Sequence, residues 1–218
     1  MRRSGHPSGR NSDHLLHEAS VGVYVPYLRN LSALLDHAEA YARARTIDPA
    51  VLLEMRLSPN MYSLRQQVGE ANRHVVLSCA LLAGCAPPVF GDTAPGIAGP
   101  KARIAATIDF AQGLPPEAID AAADRDVVFT FRSGANRPFT GKSLILTFSV
   151  PQFFFHVATA YDILRHAGVD LAKKDFWDHR GRRWARAFSS DSTKTETALG
   201  LVTSRGGPCS PEGRPPCG

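Results

Sequence analysis

The sequence predicts an all-α protein of four long helices, with a small β-hairpin placed before the fourth. Three observations lead there. Apolar residues recur at steps of three and four along four segments, the spacing of a buried helical stripe. Capping residues and stop glycines bracket most of those segments. One short stretch, DVVFTF and RPFT about SGAN, instead alternates around turn residues, as a hairpin does.

The first helical segment runs from about His14 to Arg45. Leu28, Leu31, Leu35, Ala38 and Ala42 form its stripe. Pro26 either starts this helix or kinks a longer one, because a proline cannot donate inside the ladder. His14, His17 and His37 lie in polar steps and read as exposed. IDPAVLLEM is a short helix with Asp48 as cap and Pro49 in the first turn. The second long helix lies within residues 57–84, with Ser58 read as its cap and Gly84 as its stop. Leu64, Val68, Ala71, Val75, Cys79 and Leu82 face the core, and His74 sits at the border of that stripe. A Gly/Pro/Ala-rich loop follows over 85–99. The third helix starts near Pro100, buries Ile104, Ile108 and Ala111, and stops at Gly113. Residues 115–122 add a helical turn before the hairpin.

The fourth helix begins at Thr140, whose hydroxyl can accept from first-turn amides, and ends at Gly168. Ile145, Ser149, Gln152, His156, Thr159, Ala160, Ile163 and Ala167 share one of its sides. Gln152 and His156 are the polar pair in the middle of that side, one turn apart. An unpaired buried polar group costs about 1–3 kcal/mol, so such a pair needs partners. Pro151 should bend the helix beside them by removing a ladder hydrogen bond. Phe153, Phe154 and Phe155 cover most of a circumference, which suits an element buried on several sides.

The chain divides into a polar tail (1–13), a bundle (14–176) and a second tail (177–218). Both tails are expected to be mostly disordered. The formal net charge is +5, but residues 14–176 hold fifteen Lys/Arg and fifteen Asp/Glu. The positive excess therefore sits in the tails, which argues against a folded nucleic-acid-reading surface. No run of 18 apolar residues exists, so no membrane span is expected. A cytoplasmic location is the default in the absence of a secretory pattern. Cys79 and Cys85 lie in an apolar stretch and read as buried small residues; no CxxC is present.

The segments IDPAVLLEMRLSPNMY and HVATAYDILRHAGV together resemble an uncharacterised family in the DinB/YfiT-like superfamily of metalloenzymes. The resemblance runs from about Ser20 to Phe176. It implies an up-and-down four-helix bundle with a divalent-metal site between helices. Members of the superfamily that hold a metal use one histidine on the second helix and two histidines four apart on the fourth. The matching positions here are His74, Gln152 and His156. Gln152 replaces an imidazole, and an amide oxygen is a weak ligand for Zn or Ni. The resemblance thus gives an incomplete ligand set. If the chain is an enzyme, the family points to thiol transfer or hydrolysis of a small molecule.

Two main function classes follow, with nucleic-acid binding by the tails as a minor third. In the first, His74, Gln152 and His156 hold a metal with an open position, the pattern of a catalytic centre. In the second, the two imidazoles and the amide satisfy one another in a polar core, and the bundle is a non-catalytic binding or dimerisation module. A homodimer is compatible with either. NRPFTGKS is not a P-loop: the position five before the GK glycine is Asn136, and no αβ sheet pattern surrounds it. It reads as a hairpin ending in a helix cap. Asp162 with Arg165 is a surface pair, and His166 sits where it can meet the last carbonyls of its helix.

Overall fold

In a computed structural model of the chain, residues 15–91 and 94–177 are described. They fall in one compact unit. The first tail and residues 178–218 of the second lie outside them, and so do Cys209, Cys217 and His14.

The helices are α1 (Leu15–Ala19), α2 (Val21–Ala44), α3 (Pro49–Glu54), α4 (Leu64–Ala83), α5 (Ala98–Gln112) and α6 (Pro116–Asp120). Strands β1 (Asp126–Thr130) and β2 (Asn136–Thr140) form an antiparallel hairpin. A continuous helix then runs from Gly141 to His166. It consists of α7 (Gly141–Ser143), a π-helical segment (Leu144–Ser149) and α8 (Val150–His166), and α9 (Lys173–Trp177) closes the described chain. The four long helices form the expected bundle, with the hairpin ahead of the last of them.

Side-chain contacts fix the helix directions. Tyr24 of α2 meets Phe153, Tyr27 meets Phe154, and Tyr41 Oη donates to the Ala167 carbonyl, so α2 and α8 run parallel. Gln67 meets His156 while the His74 carbonyl meets Ser149, so α4 runs antiparallel to α8. Arg29 with Gln112 and Lys101 with Asp36 make α5 antiparallel to α2. The order is up, down, down, up, in place of the alternating up-and-down order that the resemblance implies. Two successive helices in one direction require the chain to return along the bundle. The 20-residue α4 is about 30 Å long, and the residues between Ala83 and Ala98 are numerous enough to span that length.

Local chemistry accounts for most boundaries. Gly84 ends α4 in the left-handed conformation at φ 68°. The Arg125 guanidinium, donating to the Leu81 and Leu82 carbonyls at 2.7 Å, caps the same end with a cation. Asp48 caps α3 through the Ala50 amide. The TGKS stretch is a capping box: Thr140 Oγ1 accepts from Ser143 N, and Ser143 Oγ accepts from Thr140 N. Lys142 is exposed. Gly141 has a steric reason. A Cβ there would lie 2.0 Å from the Ala122 carbonyl oxygen, because the helix start is docked on the 122–125 turn.

Three local expectations are corrected. The helix read from His14 to Arg45 is two: it breaks at Ser20, whose hydroxyl turns back to the Leu16 carbonyl, and Pro26 lies inside α2. Ser58 does not cap α4. Its hydroxyl is tied to Asn60, the Leu64 amide donates to the Met55 carbonyl, and the cap is Ser63, whose amide donates to Gln66 Oε1. Cys85 is exposed while Cys79 is buried, because the left-handed Gly84 turns the chain out of the core. The helix Gly141–His166 is, by length and composition, long and apolar enough to cross a membrane. A bundle's innermost helix has the same composition, and half of this one is buried inside the protein.

Candidate metal centre between α4 and α8

His74 and His156 face each other across the α4–α8 interface. Their rings stack with centroids 5.6 Å apart and planes at 23°. Both are buried. Phe129 of the hairpin lies parallel to the His74 ring on another side, Phe148 meets it edge-on, and Tyr62 stacks over His156. The hairpin thus roofs the pair with aromatic side chains. Its own small core, Val127, Phe129, Leu144 and Phe148, joins it to the start of the last helix.

Backbone features aim these rings. Pro151 has no N–H, so the turn before it cannot close as a regular helix. The chain adopts a π-helical turn over Leu144–Ser149, with the Val150 amide donating to the Ile145 carbonyl. A widened turn of this kind recurs at functional sites. Here it carries Phe148 to the His74 ring and Ser149 to Tyr24. Tyr24 Oη donates to Ser149 Oγ at 2.8 Å, and Ser149 Oγ and Ser78 Oγ both donate to the His74 carbonyl. Tyr24 is fully buried, and burial raises its pKa well above the ordinary phenol value. It remains a neutral donor that locks three helices around His74.

The two imidazoles are neutral at physiological pH. Burial, with repulsion from His156 when that ring is protonated and from Arg73 adding to it, pushes His74 down to about 3. Burial also lowers His156, against an opposing pull from Glu70. The tautomer of His156 is set by Gln67. The Gln67 amide nitrogen donates to the Tyr62 carbonyl at 3.3 Å, which turns its oxygen toward His156 Nδ1 at 2.7 Å. His156 Nδ1–H therefore donates, and its Nε2 lone pair is left for a ligand. This is how a metal-binding imidazole is commonly oriented. His74 Nδ1 is buried and has no hydrogen-bond partner.

Glu70 completes the group. It lies one turn before His74, on the same face of α4, and is 8% exposed. Its carboxylate and the two imidazoles offer ligand atoms that all lie within 4.8 Å of one another. A tetrahedral shell with bonds of about 2.0–2.1 Å brings ligand atoms to roughly 3.3 Å. Small side-chain movements would close the difference. Two His and one Glu with an open fourth position is a known catalytic zinc pattern. Glu70 is presently paired with arginines: Arg132 Nε donates to Oε1 at 2.6 Å, and Arg73 Nη1 lies 3.7 Å from Oε2. The cluster opens into a pocket of about 360 Å³, whose wall includes Tyr62, Arg73, Arg132, Ser133 and Gln152.

Of the residues expected from the sequence, His74 and His156 meet. Gln152 lies on the wall of the same pocket but is exposed. The amide that bonds His156 is Gln67 rather than Gln152. Glu70 and Gln67 were not singled out from the sequence. The spacing Glu70–His74 of four residues on one helix was the available signal for the first. Nothing local announces the second, because its partner is 89 residues away.

A buried carboxylate and two neutral imidazoles between antiparallel helices define a helical-bundle protein with a candidate inter-helix site for a divalent cation. The chain belongs to the family described as "Domain of unknown function (DUF1993)", which matches residues 16–177, and through it to the DinB/YfiT-like superfamily. A solved structure described as a DinB family member protein from Shewanella denitrificans is similar over 80% of this chain and 98% of its own, with 28% identity and a TM-score of 0.71. Comparison with curated proteins gave no match.

Proposed function

We propose that the chain binds one divalent transition ion, Zn or Ni, through His74, His156 and Glu70, and uses it to act on a small molecule. Gln152 stands at the pocket mouth as a further donor to ion or substrate. The observation that carries this reading is the tautomer: Gln67 holds the proton on His156 Nδ1 and leaves Nε2 free beside a second neutral imidazole. The donor set suits a borderline cation, which favours imidazole with one carboxylate. Bound there, an ion of this kind would supply a water or thiol deprotonated near neutral pH. The chain's own part is to keep both rings neutral, to exclude bulk water with Phe129, Phe148 and Tyr62, and to present Arg73 and Arg132 beside the reacting space.

One observation favours the second class, a non-catalytic module with a satisfied polar core. Glu70 already has arginine partners and His156 already has Gln67, so within the Glu70, His74 and His156 group only His74 Nδ1 lacks a partner. Metal analysis separates the two. Protein purified without a histidine tag should hold close to one equivalent of Zn or Ni, and His74→Ala and His156→Ala should each lose it. Metal-free protein that takes up neither ion on titration would leave the polar-core module standing.

A further inference from the structure

A second cavity lies apart from the one that holds the histidines. It is a groove of about 470 Å³ between the first half of α4, the start of α5 and the loop segment 87–90. That volume falls in the range of small-molecule sites. Its apolar surface comes from Val68, Val76, Leu77, Pro88 and Phe90. Its charged lining is Arg65, Arg73, Arg103 and Arg132, and no carboxylate lines it among the described residues.

The four guanidiniums are under-compensated. Arg65 is paired with Glu54, while Arg73 and Arg132 share the single carboxylate of Glu70. Arg103 has no ion pair with a carboxylate of the described residues. It is held in place by the Phe90 ring, 4.7 Å from its guanidinium carbon, and by the Gly91 carbonyl at 3.3 Å. A planar guanidinium fixed on an aromatic face is pre-organised for a bidentate acid. On the opposite wall Asn72, itself 2% exposed, carries a side-chain oxygen without a hydrogen-bond partner. Arg73 and Arg132 line this groove and the histidine pocket alike.

We propose that the groove is a binding site for an amphipathic organic anion. Its acid group meets Arg103, and its apolar body lies against Val76, Leu77 and Phe90. The assignment does not depend on a metal at the histidines. A ligand seated this way would also have one end next to the wall formed by Arg73 and Arg132.

The test uses the full chain, stripped of metal with a chelator, and octanoate as the probe. Calorimetric titration at low salt is compared across octanoate, acetate, 1-octanol and octylammonium. Octanoate should bind at one site, at least tenfold more tightly than any of the other three. Arg103→Glu should weaken octanoate tenfold or more, with Arg103→Gln in between and the thermal midpoint of both near wild type. Amide chemical-shift changes should centre on residues 73–77, 90 and 99–103. Equal binding of octanoate and 1-octanol would overturn the proposal and leave an apolar groove open to a protein partner. So would octanoate affinity unchanged in Arg103→Glu, or shift changes confined to another surface. Loss of zinc uptake in the same protein would count only against the metal reading.

Discussion

Acidification of the metal-free protein should expose the cost of its buried imidazoles. His74 titrates near 3 in the folded chain, against about 6.5 when unfolded. Between those values the unfolded chain holds a proton that the folded chain lacks, so stability falls as pH falls. The contribution is fully present above pH 6.5 and is lost progressively down toward 3. Each pH unit in that window is worth about 1.4 kcal/mol per group. From pH 7 to pH 5, His74 alone should remove about 2 kcal/mol, and His156, lowered for the same reason, adds a loss of the same sign. For a domain of this size 2 kcal/mol corresponds to roughly 4–8 °C in Tm. Urea denaturation in the presence of a chelator at pH 7, 6 and 5 measures it. His74→Leu, which retains an apolar side chain between Phe129 and Phe148, should show a pH slope shallower than wild type by about 1 kcal/mol per unit. Identical slopes in the two proteins would refute the reasoning, because they would mean that His74 is as easily protonated in the fold as outside it.

Gln67→Leu removes the group that fixes the His156 tautomer; zinc affinity should fall about 10- to 100-fold by calorimetry while the fold persists. Gly141→Ala forces a Cβ against the Ala122 carbonyl, an overpacking that should cost about 1–3 kcal/mol and be visible as a lowered midpoint in thermal melts. Tyr24→Phe leaves Ser149 Oγ short of its buried partner and should destabilise by about 1–3 kcal/mol in urea, without changing the metal stoichiometry.

The bundle was legible because its signals are local. The stripes of α2 and α4, the stop at Gly84, the Thr140 cap and the alternation about SGAN each depend on neighbours a few residues away. His74 and His156 were reachable because resemblance pointed to their positions. The rest of the site depends on pairings distant in sequence. Gln67 reaches His156 from another helix, and Arg132 reaches Glu70 from a hairpin 62 residues on. The cap of α4 was misplaced because Ser58–Pro59 resembles a helix start, while the Ser63–Gln66 pair, an S-x-x-Q signal, stands five residues later. The π-helical turn is a response of the ladder to Pro151, and only its bend was foreseeable. Up–down–down–up order is set by a long loop whose composition says nothing of its path.

Diffraction from crystals grown with zinc, recorded on either side of the zinc absorption edge, addresses the site most directly. One anomalous peak should appear between α4 and α8, about 2.0–2.1 Å from a nitrogen of His74 and from His156 Nε2 and 2.0–2.2 Å from a Glu70 oxygen, with Arg132 turned away. A map with no peak there, and Glu70 still clasped by Arg132, would contradict the assignment.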